Sequence, residues 1–306
     1  MGIGDDAAVW RPSRSHLSVV STDALVDDVH FRSEVMAAGD IGHRAMAASL
    51  SDIAAMGARP VLATVALGVP AALDEAWIVA CYRGMTALAG AHGARIVGGD
   101  IVRAPALTLA LTVIGEVSPS RLKRRDAGRP GDVVAVTGPL GASRAGLELL
   151  RRPELAVDAA SAAIARAAFA TPMPRIREGR WLAASVHVRA MMDASDGLST
   201  DLARLAAASA CGATIGDVPV AAAASEVARA AGAVPESYAL DGGEDFELLV
   251  CVAPRAFGHL ARRFAAHFGK PLLPIGFLEA APGLRRSDAH GARELVAAGY
   301  DHFSDI

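Results

Sequence analysis

Lysine is almost missing from this chain. Of 30 basic residues only Lys123 and Lys270 are lysines, and neither stands in a GxxxxGK setting followed by Ser or Thr, which excludes a P-loop. Any bound phosphate must then be met by metal ions, arginines or backbone amides. Aromatic residues make up only 5%, net charge is −3, and the basic residues are scattered apart from the run Arg121 to Arg125, so a nucleic-acid surface is excluded. The three cysteines, Cys81, Cys211 and Cys251, lie far apart with no metal-type spacing. They read as reduced packing residues of a cytoplasmic protein. No apolar run reaches the length of a membrane span, and the chain opens on Asp5 and Asp6 rather than a basic leader, so a soluble, unprocessed protein is expected.

What is present is apolar mass and acid. With 306 residues and 52% hydrophobic content the chain can build two domains with sizeable cores. The organising stretch is LSVVSTDALVDDVHF, Leu17 to Phe31. Leu17 to Val20 reads as a buried strand that ends at Ser21, Thr22 and Asp23, with alternation putting Ser21 and Asp23 on one face and Thr22 on the other. Oxygen donors of this kind suit a hard cation such as Mg²⁺, although Ser, Thr and Asp after a strand also serve turns and helix caps. Repetition favours the cation. GIGDDAAV (2–9), SLSD (49–52), IVGGD (96–100) and MMDASD (191–196) each bring carboxylates out of apolar or small-residue settings, where unpaired charge is costly.

Along the chain, Ile41 to Met56 reads as a helix capped by Gly57, with Asp52 on its apolar stripe. Residues 61–68 read as a strand and Leu73 to His92 as an amphipathic helix carrying Tyr82, to which periodicity alone assigns no chemistry. Ala94 to Val97 is a strand running into Gly98, Gly99 and Asp100, where glycines let backbone approach a ligand or simply turn. After the strand Leu107 to Val117, the loop 118–132 is rich in turn formers and charge, and the domain boundary is placed at its end, giving domains 1–132 and 133–306. Beyond it, Val186 to Met192 reads as a strand delivering Asp193 and Asp196. The turn GGEDFELL places Glu244 at the mouth of another strand, and Tyr300 sits in the tail GYDHF.

Taken in order, GIGDDAAV, VVSTDALVDDVHF, LSDIAAMGARP, GGD, DASDGLSTDL, GGEDFELL and GYDHF resemble the thiamine-monophosphate kinases of the aminoimidazole-ribonucleotide-synthetase-like superfamily, from residue 2 to about 303. The resemblance implies an α+β, two-domain fold: an N-terminal ATP- and Mg-binding domain whose sheet pairs across a homodimer, and a C-terminal α/β domain. It implies ATP-dependent phosphorylation of thiamine monophosphate to thiamine diphosphate. By motif position it assigns Asp6, Ser21, Thr22, Asp23, Asp52, Asp100, Asp193 and Asp196 to an Mg²⁺ shell. Tyr82, Gly99, Asp100, Arg125 and Ser195 would meet ATP, and His30, Glu244 and Tyr300 the thiamine phosphate. No residue is assigned as nucleophile or general base.

Three departures from the family pattern accompany it. Some twenty-odd residues are expected ahead of Gly2, Asp28 stands where Gly is common, and Arg44 and Ser49 replace a common Lys and Asn. Relatives in the superfamily carry other marks. A selenophosphate synthetase would show a reactive N-terminal Cys and Lys, and a hydrogenase-maturation protein a C-terminal Cys, and neither is present. A purine-pathway cyclase fits the STD–VHF and GYDHF segments less well, and a non-catalytic nucleotide sensor fits poorly with the intact acids.

Overall fold

The computed structural model describes residues 10–289 and 291–300. The chain divides into two compact units, one of residues up to Leu122 together with Ala170–Arg180, the other of Lys123–Phe169 and the chain from Trp181 onward. The division falls after Leu122 rather than after Asp132. The physical reason is that the intervening loop is tied to the second unit: Lys123 Nζ donates to the carbonyls of Ser185 and Val188 at 3.0 and 2.7 Å, and Gly131 N to Leu278 O at 2.7 Å.

The first unit is a four-stranded sheet with two helices. Its strands are β1 (Leu17–Val26), β2 (Arg59–Val69), β3 (Arg95–Arg103) and β4 (Thr108–Val117), in the order β1-β4-β2-β3. β4 is antiparallel to both neighbours, and β3 runs parallel to β2. The helices α1 (Ala38–Ala55) and α2 (Glu75–Ala91) pack closely on each other. Glycine permits this: a Cβ at Gly42 would fall 2.0 Å from Cys81 O, and one at Gly84 1.9 Å from Gly39 O. Ile41, Ala45, Leu50 and Ile53 are fully buried on α1, Cys81 and Met85 on α2. Asp74 caps α2 by accepting from Trp77 N at 2.9 Å.

β1 does not stop at Val20. It continues to Val26 in unbroken register with β4, Leu17 opposite Val117 and Val26 opposite Thr108. Polar residues persist in the strand because alternate side chains face different surroundings, a pattern that the short apolar run Leu17 to Val20 does not reveal. Gly98, Gly99 and Asp100 likewise lie inside β3, not after it.

The second unit holds a seven-stranded mixed sheet. Its strands are β5 (Val133–Val136), β6 (Val188–Ala194), β7 (Gly212–Ile215), β8 (Glu247–Val252), β9 (Leu273–Glu279), β10 (Leu284–Asp288) and β11 (Gly291–Glu294), in the order β11-β10-β7-β9-β5-β8-β6. Helices α3 (Ala142–Arg151), α4 (Ala159–Ala170), α5 (Ile176–Ala183), α6 (Leu198–Ala208), α7 (Ala222–Ala230), α8 (Pro235–Asp241) and α9 (Pro254–Phe268) follow in chain order, with residues 176–180 of α5 counted to the first unit. Every residue of β8 is buried, as a strand paired on both edges requires. Leu198, Leu202 and Leu205 of α6 form one core with Ala190, Met192 and Leu249 of the sheet. Among the described residues no helix is long and apolar enough to cross a membrane, and Cys81, Cys211 and Cys251 are buried free thiols.

Candidate active site

In the first unit, Ser21 and Asp23 face α1. Ser21 Oγ donates to Asp52 Oδ2, bridging β1 and the helix. Asp23 sits beside the same carboxylate, and burial, then the charge of Asp52, push its carboxyl up to about 6 against a counteracting bond from Ser49. Its Oδ2 is buried with no hydrogen-bond partner. Two carboxylates and a hydroxyl thus come together in a half-buried setting, one carboxylate oxygen of Asp23 being left without a hydrogen-bond donor. Orphaned oxygen of this sort is costly unless a cation completes it, so an all-oxygen hard-metal site fits these residues.

Thr22 faces the other way. Its Oγ1 donates to Leu111 O at 3.0 Å and lies 3.0 Å from Thr112 Oγ1. Asp100 pairs with Ala66, in the row that runs through Ala110 to Ala24, whereas Asp23 shares a row with Leu111, Val65 and Gly99. Asp100 is therefore not gathered with Asp23 and Asp52; it is exposed and accepts from Ile101 N at 2.9 Å. At Gly99 a Cβ would fall 1.9 Å from Val65 O, so only glycine fits. Among the described residues no three Asp, Glu, His or Cys side chains form a complete metal cluster. Asp6 lies outside the described residues.

His30 is held by the turn that follows β1. Its Nδ1 accepts from Val26 N at 3.1 Å, and its carbonyl accepts from Arg44 Nε at 3.1 Å. A ring nitrogen that accepts carries no proton, so in the neutral ring Nε2–H is the donor. Asp28, in the same turn, has φ 63°, a left-handed conformation that accounts for glycine being common at this point. Tyr82 is half-buried on α2, and burial, then neighbouring Cys81, raises its hydroxyl.

The second unit gathers five of the expected residues. Asp193 is buried near the end of β6, which leads into Ser195 and Asp196. Glu244 N donates to Ser195 O at 2.7 Å, and Tyr300 N donates to Asp196 O at 3.0 Å. Gly243 and Glu244 both have positive φ, 68° and 58°, a tight turn that presses this segment onto the Ser195 carbonyl. Tyr300 exposes about half of its surface, 47%. Arg125 is exposed, and its carbonyl accepts from Ser209 Oγ at 2.8 Å; among the described residues no hydrogen bond or ion pair joins its side chain to this cluster.

Three supporting residues escaped the sequence reading. Asp201 Oδ2 accepts from Ser195 N and Asp196 N, and Arg204 binds Asp196 Oδ2 while lying 3.5 Å from Asp201 Oδ1. Burial pushes the Asp201 carboxyl up to about 7. Asp245 accepts from Gly141 N at 2.7 Å and Ser143 N at 3.2 Å, fixing the start of α3. The available signal for Asp201 was the third acid in DASDGLSTDL, which falls in the first turn of a helix and can reach back to the preceding loop.

Residues 4–117 match the family described as AIR synthase related protein, N-terminal domain, and residues 129–269 its C-terminal domain. The thiamine-monophosphate kinase of Synechococcus elongatus is 37% identical over 98% of this chain and 91% of its own length. The crystal structure of thiamine-monophosphate kinase from Stenotrophomonas maltophilia K279a superposes with TM-score 0.85 at 36% identity, covering 94% of this chain and 90% of that one. The AaThiL structure complexed with AMPPCP and TMP superposes with TM-score 0.84 at 27% identity, covering 96% of this chain and 89% of that one.

Proposed function

This chain belongs to the thiamine-monophosphate kinase family of AIR synthase related proteins, and from that premise we propose that it phosphorylates thiamine monophosphate with ATP, giving thiamine diphosphate and ADP. The observation that carries the reading at the level of residues is the Ser21–Asp23–Asp52 group, with its buried oxygen that lacks a partner. A site that handles two polyanions with carboxylates and almost no lysine needs divalent cations between the two.

Mg²⁺ would be held by Asp23 and Asp52 with Ser21 in the first unit, with Asp6 as a further ligand, and by Asp193 and Asp196 in the second unit; Thr22 and Asp100, which face away from that group, would not ligate with it. When bound it would neutralise phosphate charge and align the in-line displacement. The chain's own residues bind and orient. An acceptor phosphate with a second pKa of about 6 is largely dianionic at neutral pH and requires no general base. His30, with Nδ1 occupied by Val26 N, offers Nε2–H to that phosphate. Tyr300 offers an aromatic face and Glu244 an anion toward the cationic thiazolium end. Tyr82, Gly99, Asp100, Arg125 and Ser195 meet ATP, with the Ser195 backbone held by Asp201. Homodimer formation through the sheet, where β1 leaves Val20 62% exposed, and a cytoplasmic setting that keeps the three thiols reduced belong to the same reading.

The experiment is a coupled ADP-release assay with Mg²⁺ and ATP that compares thiamine monophosphate with thiamine. Turnover confined to the monophosphate supports the reading. Equal or faster turnover of thiamine contradicts it.

A further inference from the structure

A cleft of about 420 Å³ opens in the first unit where β1 begins, β4 ends and β2 begins. Three arginines reach it from separate parts of the chain: Arg59 at the start of β2, Arg121 at the end of the short turn Pro119–Arg121, and Arg180 in the last turn of α5. His16, Ser118 and Ser120 add to its polar wall, and the two hydroxyls lie 3.1 Å apart. One acid, Glu116, also lines it. That carboxylate is engaged: Ser13 N donates to Oε1 at 3.0 Å, Ser13 Oγ to Oε2, and Arg59 Nη2 lies 3.2 Å from Oε2. The Ser13 hydroxyl, more than Arg59, holds Glu116 below the usual carboxylate range.

The Arg59–Glu116 pair is therefore electrically neutral. Arg121 and Arg180 have no carboxylate partner among the described residues, and both are exposed. Solvation suits a single surface arginine, and the negative pole of a helix end suits Arg180 by itself. Neither accounts for two uncompensated guanidiniums and two hydroxyls facing one concavity in a chain of net charge −3. Among the described residues the apolar lining is Val117 and Gly57 alone, so the cleft does not select an apolar body. Its size is that of a small-molecule site, and guanidinium groups with hydroxyl donors match phosphate oxygens in charge and in direction.

We propose that this cleft is a second anion site that takes the diphosphate group of a small molecule. It stands on its own residues and does not depend on the kinase reading. His16 precedes β1, and no member of the Ser21–Asp23–Asp52 group lines the cleft.

The test is calorimetric titration of inorganic pyrophosphate into the full chain at low ionic strength with EDTA present, so that no divalent ion bridges the anion to the carboxylates. The expected result is one saturable site, weakened about tenfold by Arg121→Ala and by Arg180→Ala and lost in Ser120→Glu. All three positions are exposed, so melting temperatures should match the parent. Parallel titrations with ADP and with thiamine diphosphate identify which molecule supplies the diphosphate, through binding that Arg180→Ala weakens. No saturable binding to the parent chain, or affinity unchanged in both arginine variants, overturns the proposal.

Discussion

Asp201 Oδ2, in the first turn of α6, accepts the backbone N–H of Ser195 at 2.9 Å, and the next N–H, that of Asp196, at the same distance. A buried carboxylate thereby sets the path of the loop that carries two expected ligand residues. Asp201→Ala leaves two buried amides without an acceptor and should cost about 2–4 kcal/mol of stability. It should also lower kcat/KM for ATP by about ten- to a hundredfold, since small displacements of positioning groups are expensive. Asp201→Asn retains a carbonyl oxygen and should recover much of both. Urea unfolding and initial rates on the two variants check this; equal damage from Asn and Ala would show that charge, not loop position, is what Asp201 contributes.

A second carboxylate makes stability depend on pH. Burial, opposed by the Gly141 and Ser143 amides, pushes Asp245 up to about 7 from an ordinary 3.8. The fold then keeps a proton that the unfolded chain releases above about pH 4, so this residue's contribution falls as pH rises toward 7 and is level beyond it. Asp245→Asn cannot titrate. The melting temperature of the parent minus that of Asp245→Asn should become more negative between about pH 4 and pH 7; a constant difference would refute the assignment.

Period-two alternation already put Ser21 and Asp23 on one face of a strand and Thr22 on the other, and the apolar stripe of α1 already placed Asp52 inward. Both follow from local periodicity, which a sequence carries openly. The extent of β1 does not, because its second half is stabilised by pairing with β4, whose register becomes visible only once the strands are aligned. Asp100 shows the same limit: GGD marks a close approach, but its row relative to Asp23 depends on two intervening strands. Asp245 was illegible for another reason. Its partners are backbone amides distant in the chain, which leave no trace in residue identity.

The acceptor pocket calls for a selective defect. Tyr300 holds the Asp196 carbonyl through its backbone N, so Tyr300→Ala removes the ring while that tie remains. Glu244→Gln likewise keeps the backbone donation to Ser195. Each should raise KM for thiamine monophosphate about fivefold or more while ATP affinity changes little. Parallel loss of ATP binding would move both residues out of the thiamine pocket.

Metal dependence should show in stability as well as in turnover. In the metal-free chain Asp23 and Asp52 repel each other, so Asp23→Asn should melt at or above the parent temperature. Mg²⁺ should raise the melting point of the parent, by the free energy of its binding to the fold, and raise that of Asp23→Asn far less. Most activity should be lost in the variant. Equal Mg²⁺ stabilisation of both proteins, with near-normal turnover, would exclude Asp23 from the metal site.

Direct transfer between two phosphates is the central claim, and ATP labelled in its γ-phosphate follows it. With thiamine monophosphate and Mg²⁺, the label should appear in the terminal phosphate of thiamine diphosphate, in equal amount to the ADP formed. Label released as inorganic phosphate while thiamine monophosphate stays unchanged would contradict the account.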